Sequence, residues 1–275
     1  MNLTPPPAAP SAINQPMVVN CIAYRQNGQR IGDVTIDAIS DILAEPDTFV
    51  WVGLYEPDED LLLKLQDEFG LHDLAIEDAH AAHQRTKIET YGDSLFLVVQ
   101  TAQLVNGELE FGETQIFLGQ RYLLTVRHGA SLSYAPARRA CEHTPELLAS
   151  GPSYALYGVL DFIADNLLPI VRDFREELGL LEHDIFAETF KRSTVHRLYD
   201  MQRDLMTLRI AVAPLQDVKS QLVRLHTNLI RDETPSPRRF NSGGTSKNAP
   251  MTIVMMTAFS RITVPNTISG SAWPT

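Results

Sequence analysis

Cysteine is scarce in this chain. Cys21 and Cys141 are its two thiols, far apart and without a CxxC pair, so neither a zinc ribbon nor a disulfide framework is written into the sequence. A reducing compartment fits that usage. Positive charge is also in deficit, with 23 Lys and Arg against 34 Asp and Glu for a formal net charge of -11. This argues against a nucleic-acid partner, because phosphates select for an excess of Lys and Arg. It suits small cations, although acidic surfaces commonly serve only solubility. Long apolar runs are missing too. None approaches the roughly 18–20 residues of a membrane-spanning helix, and the longest late stretch, residues 251–259, is broken by threonines. Residues 1–16 are rich in Pro and Ala with no basic stretch ahead of an apolar one. They read as a loose, disordered tail rather than a signal peptide. The sequence carries no GxSxG, P-loop, GxGxxG or HExxH, and the chain is expected not to be an enzyme.

What is present begins with strand-like runs. Residues 17–24 read as a strand, closed by the turn signal Asn27-Gly28. Residues 36–43 read as a short helix and FVWVGLY (49–55) as a second apolar strand. Asp58 is placed to cap a helix carrying Leu61, Leu62, Leu65 and Phe69. Another short helix is expected over 72–83, then three strands over 94–103, 109–119 and 122–128, with turns at Asn106-Gly107 and Gly119-Gln120. From about residue 153 the period changes. Leu160, Ile163, Leu167, Val171, Phe174, Leu178, Leu181 and Ile185 recur at steps of three and four, a near-heptad seam on a long helix. A second seam runs through Leu198, Met201, Leu205, Leu208, Val212, Leu215, Leu222 and Leu229, with Lys219 in the seam position between Leu215 and Leu222. Pro214 is expected to break this helix locally, and the polar segment 187–194 is short enough for a hairpin. The fold class is therefore α/β: a sheet domain with inserted helices (17–150) followed by a long antiparallel helical hairpin (151–234). Residues 235–275 contain no Asp or Glu and are rich in Ser, Thr, Asn, Pro and Gly, so they read as a disordered tail.

The acidic residues are the candidate ligands. Glu77-Asp78 end the run LHDLAIED, Asp161 and Asp165 share a helix face, and Glu182, Asp184 and Glu188 cluster near the helix end. Hard cations such as Mg²⁺ take carboxylate oxygen and keep several waters, so carboxylates from different segments or subunits suit one hydrated ion. A softer alternative groups His80 and His83 with Glu77 and Asp78; a solvated helix face is the plain reading of such a run.

The series WVGLYEPDED, LHDLAIEDAHAAHQRTKIETYGDSLFLVV, QIFLGQRYLLTVRH, YALYGVLDFIADNLLPIV, LEHDIF and RLYDMQRDLMTLRIAVAPLQDV resembles the cytosolic domain of CorA-type divalent-metal transporters, over roughly residues 18–233. Each piece is weakly specific; their order is strongly so. In the family's "R-P-K-x-E" turn this chain has Arg85-Thr86-Lys87-Ile88-Glu89, with Thr86 in place of proline. The resemblance implies a homopentameric inner-membrane channel for Mg²⁺ and Co²⁺, with this domain on the cytoplasmic side. Regulatory Mg²⁺ would bind between neighbouring domains and favour the closed arrangement. Asp78 matches the family's regulatory aspartate, and Glu77 and Asp161 match the acidic positions of an adjacent site.

The chain leaves the pattern after Ile230-Arg231-Asp232-Glu233-Thr234. The stalk helix with its acid, both membrane helices and the Gly-Met-Asn loop are not found in 235–275. That tail reads as the product of a truncation or frameshift, and the chain by itself is expected to be soluble and not to conduct. Two alternatives stand beside this reading: the zinc-efflux branch of the same superfamily, and a non-transporting soluble remnant.

Overall fold

The run TFVWVGLY offers no polar side to water and forms a strand buried on both faces, near the middle of a seven-stranded sheet. The computed structural model describes residues 17–80, 84–186 and 192–225. Both expected tails, Leu229 and most of the hairpin connection lie outside the described residues. In chain order the elements are β1 (Val18–Arg25), β2 (Arg30–Asp33), a 3₁₀ turn (Ile36–Ala38), α1 (Ile39–Ala44) and β3 (Thr48–Tyr55). Then come α2 (Glu59–Phe69), α3 (Asp73–His80), β4 (Lys87–Tyr91), β5 (Ser94–Val105), β6 (Glu108–Leu118) and β7 (Tyr122–Gly129). The helices α4 (Ala135–Glu142), α5 (Pro145–Leu148), α6 (Pro152–Phe186), α7 (Arg192–Val212) and α8 (Leu215–Leu225) complete the described chain.

The strands lie in the order β2-β1-β3-β7-β6-β5-β4. All neighbours are antiparallel except β3 and β7, which run parallel with Val50 opposite Tyr122. Alternation along the strands divides the core. Ile22, Tyr24, Trp51, Leu97, Ile116, Leu118 and Leu123 form one cluster with residues of α4, α6, α7 and α8. Cys21, Ala23, Val52, Phe96, Val98, Phe117 and Leu124 form a second with α1, α2 and α3. The result is a helix–sheet–helix sandwich, so α3 and α6 sit on opposite faces of the sheet.

Local signals act as expected. Asp58 caps α2, its Oδ1 accepting from Leu61 N at 2.9 Å. Asn106 and Gly107 both adopt positive φ, 54° and 82°, the geometry of a tight hairpin turn, and set eleven β5–β6 pairs from Leu95 opposite Leu118 to Val105 opposite Glu108. Pro214 falls in the break between α7 and α8.

Three expectations change. The Arg85–Glu89 stretch read as a turn is largely strand β4, paired along the sheet edge. The second seam is not interrupted between Leu215 and Leu222: Val218, 2% exposed, supplies the buried residue there. Finally, Pro152–Ile185 is a helix long and apolar enough to cross a membrane by length and composition, its most apolar 18-residue stretch having a mean hydropathy of 1.3. Half of that apolar stretch is buried in the protein, the pattern of a core helix laid on a sheet.

Candidate functional site

Helix α3 is anchored through Ala75, Ile76 and Ala79, all buried against the sheet. That registry turns the positions between them outward: Glu77 is exposed and Asp78 is half-buried at the sheet's rim. The facing element is the edge strand β4, whose Lys87 and Glu89 lie opposite Val98 and Phe96 of β5. Val98 and Phe96 belong to the α3-side core, so Lys87 and Glu89 point toward α3.

Lys87 Nζ lies 2.6 Å from Asp78 Oδ2 and 3.1 Å from Glu89 Oε2. Gln84 Nε2 donates to Asp78 Oδ1 at 3.1 Å and to the Asp78 carbonyl at 3.1 Å. Burial pushes the Asp78 carboxyl upward, but the hydrogen bonds from Lys87 and Gln84 and the Lys87 charge outweigh it and hold it below its ordinary value. Burial likewise pushes Lys87 downward, and its bonds to Asp78 and Glu89 prevail and raise it. Tyr91 donates to Glu89 Oε2 at 2.8 Å; burial, then that bond, pushes its phenol up to about 12.

Behind this rim is a polar network that sequence reasoning did not find. Glu113 on β6 is 2% exposed. Its Oε2 accepts from Gln84 N at 2.8 Å and its Oε1 from Gln115 Nε2 at 2.9 Å. Gln100 Nε2 donates to the Gln84 carbonyl at 3.0 Å. The signal was there to read: in GETQIFL the polar Glu113 and Gln115 alternate onto one face with the apolar Phe117.

Asp161 lies on α6, where its charge raises the Cys141 and Tyr154 pKa values as a minor contribution behind burial. It is therefore on the far side of the sheet from Asp78, and one chain does not bring Glu77, Asp78 and Asp161 together. Among the described residues no group of three His, Cys, Asp or Glu is arranged to hold a metal ion. His83 and the side chains of His80 and Glu188 lie outside the described residues. Among the described residues the donors at the rim are carboxylate oxygens, of the kind a hard cation takes. A lone protomer offers them incompletely, with Asp78 already paired to Lys87.

The "T-V-R-H" end of β7 has a structural role. Arg127 is 4% exposed, packs over the rings of Tyr55 and Tyr134 at 5.0 and 5.9 Å, and donates to the Ser131 carbonyl at 3.0 Å. His128 Nδ1 and Glu56 Oε2 are 2.9 Å apart, and Gly129 N donates to Glu56 Oε1 at 2.8 Å, tying the ends of β3 and β7 together.

Similarity to known proteins agrees with this architecture. The chain is 26% identical over 209 residues to the YfjQ protein of Bacillus subtilis, covering 76% of this chain and 63% of that one. It is 27% identical over 178 residues to the cobalt/magnesium transport protein CorA of Thermotoga maritima, covering 64% and 50%. The chain thus spans less than two thirds of the length of either relative. The soluble domain of CorA from Methanocaldococcus jannaschii superposes with a TM-score of 0.63 at 14% identity, over 90% of each chain. The ZntB cytoplasmic domain of Vibrio parahaemolyticus does so with a TM-score of 0.64 at 12% identity, over 90% and 88%. At those identities the superpositions establish the fold. The family described as CorA-like Mg²⁺ transporter protein, one of transporters and not of enzymes, matches residues 46–240, and the chain belongs to it.

Proposed function

We propose that residues 17–234 form the cytoplasmic metal-sensing part of a divalent-cation transporter, with Mg²⁺ and Co²⁺ as the ions handled. Residues 17–150 would make the sheet domain and 151–234 the hairpin. The observation that carries this reading is the placement of the acids. Asp78 and Glu77 lie at the rim of one face of the sheet, and Asp161 lies on a helix covering the other. Acids on opposite sides of one protomer are arranged to meet a neighbour's acids, so a regulatory ion would be held between adjacent subunits of a homopentamer. Asp78 is the principal ligand in this reading, with Glu77 and Asp161 supporting it. Cation binding would favour the arrangement in which the subunits are clamped, and its loss would release them.

The fold is shared with a ZntB domain, and fold alone does not separate the zinc branch from the magnesium branch. Among the described residues, ligand chemistry favours the latter: the rim there offers carboxylate oxygen, whereas protein zinc sites draw chiefly on Cys and His. The test is calorimetric titration of Mg²⁺, Co²⁺ and Zn²⁺ into the chain and into Asp78→Ala, with oligomeric state followed by light scattering. The expected result is weak binding, in the millimolar range or about 4 kcal/mol, that favours association and is lost in Asp78→Ala. Binding indifferent to that substitution would place the site elsewhere, with the acidic helix end at Glu182 and Asp184 the next candidate.

A further inference from the structure

Asp78 does not wait at the rim with open oxygens. The ammonium of Lys87 already lies on it, 2.6 Å from Oδ2, and bridges to Glu89 Oε2 at 3.1 Å. We propose that Lys87 is an internal occupant of the cation seat at Asp78, and that a divalent ion binds there by exchange, displacing the lysine. This rests on the assignment of Asp78 as a metal-sensing carboxylate.

Four features of the site support the exchange. The Lys87 backbone is fixed by pairing with Val98, so the ammonium is tethered within reach of the seat whether or not it occupies it. The Asp78 carboxylate is held independently, by Gln84 Nε2 on Oδ1, so it keeps its orientation when Lys87 leaves. Asp78 is also not the sole attraction on the ammonium: in its seated position Lys87 Nζ lies 5.6 Å from the centre of the buried Phe96 ring. The pair is partly open, at 27% and 26% side-chain exposure, so a hydrated ion reaches Asp78 without unfolding the rim. Charge points the same way. With the lysine seated, Asp78, Lys87 and Glu89 carry one net negative charge; with it withdrawn they carry two, the match for a divalent ion.

Lys87 in this account sets the concentration at which the site fills. A bound ion must do better than a tethered ammonium, so the site stays empty of metal at low concentration and responds only at high. Removing the lysine's charge should then tighten binding rather than weaken it. That is the opposite of what loss of a merely structural ion pair would do to a folded binding site.

The experiment is titration of Mg²⁺ and of Co²⁺ into the unaltered chain, Lys87→Gln, Asp78→Ala and the double variant. Lys87→Gln is expected to bind both ions about tenfold more tightly or better, and the two variants lacking Asp78 are expected to show no specific binding. Unchanged or weaker binding in Lys87→Gln, with Asp78→Ala still abolishing it, overturns the exchange and leaves the Asp78 assignment standing. Binding that survives Asp78→Ala overturns the assignment itself, and absence of binding in both the unaltered chain and Lys87→Gln overturns both. If Lys87→Gln fails to fold, amine-reactive labelling of the unaltered chain decides. Mass spectrometry should show the labelling rate of Lys87 rising several-fold with saturating Mg²⁺, relative to Lys64, which pairs with Asp37 of the 3₁₀ turn. An unchanged ratio rejects the exchange.

Discussion

Strand β6 presents two chemistries from one backbone. Toward α6 it sends Ile116 and Leu118 into an apolar cluster with Trp51, Leu97 and Leu160. Toward α3 it sends Glu113 and Gln115, just as buried, into a hydrogen-bonded network that reaches Asp78. The first face gains its stability from area removed from water and is indifferent to small rotations. The second gains it from directional donor–acceptor pairs, and so fixes geometry. The dry face holds the fold and the wet face holds Asp78 in place.

Four substitutions or measurements sharpen that contrast, in descending order of effect. Leu97→Asp puts an unpaired charge into the dry cluster, where the native leucine is fully buried. It should cost about 4 kcal/mol or more, visible as loss of the cooperative thermal transition; a transition near that of the unaltered chain would show the α6 cover to be loose. Glu113→Ala strands Gln84 N and Gln115 Nε2 without an acceptor and should cost about 1–3 kcal/mol. Chemical denaturation should also show Asp78-dependent metal binding reduced in the same variant. No change in either would mean that the network does not position the rim.

Third, burial pushes the thiols of Cys21 and Cys141 up to about 12. Both should stay protonated and slow toward a thiol reagent at pH 8, then react once denaturant opens the sheet. The sign of the linkage follows. Native and unfolded chains are equally protonated below the unfolded thiol value of about 8.5. Above it only the unfolded chain gives up its protons, so stability falls from there up to about 12. Rapid labelling of the native chain at pH 8 would contradict the burial of both. Smallest is Arg197→Ala. The Arg197–Glu177 pair joins α7 to α6 but is 46% and 30% exposed, so its loss should cost less than about 1 kcal/mol. A larger loss in melting experiments would make the hairpin's outer ion pair a structural clamp.

The sequence announced the elements that hide apolar surface and withheld those that do not. TFVWVGLY and the α6 seam were legible because burial forces one residue class at a fixed period. Edge strands β2 and β4 escaped because neither hides its side chains: β2 has no buried residue, and β4 has four half-buried residues and one exposed. Helix α4, APARRACE, escaped because only Ala137 and Cys141 of its eight residues are buried. At the site, family resemblance singled out Asp78, and period alone would not have separated it from the other surface acids. Lys87 and Glu113, which control its surroundings, come from β4 and β6. Their meeting is a property of sheet order and is not written in any local pattern.

Sheet order has one more consequence, in time rather than in space. The central pair of strands is the parallel one, and its members come from distant parts of the chain: the Thr125 hydroxyl bonds to the Val52 carbonyl across 73 positions. Neighbouring hairpins such as β5–β6 close over two residues and form on the microsecond scale. The β3–β7 seam must wait for a long loop to close and for β7 to leave the ribosome, which makes it a late and slow step. Until then β3 exposes an edge of open backbone hydrogen-bonding groups flanked by Phe49, Trp51 and Leu54, an edge open to mispairing.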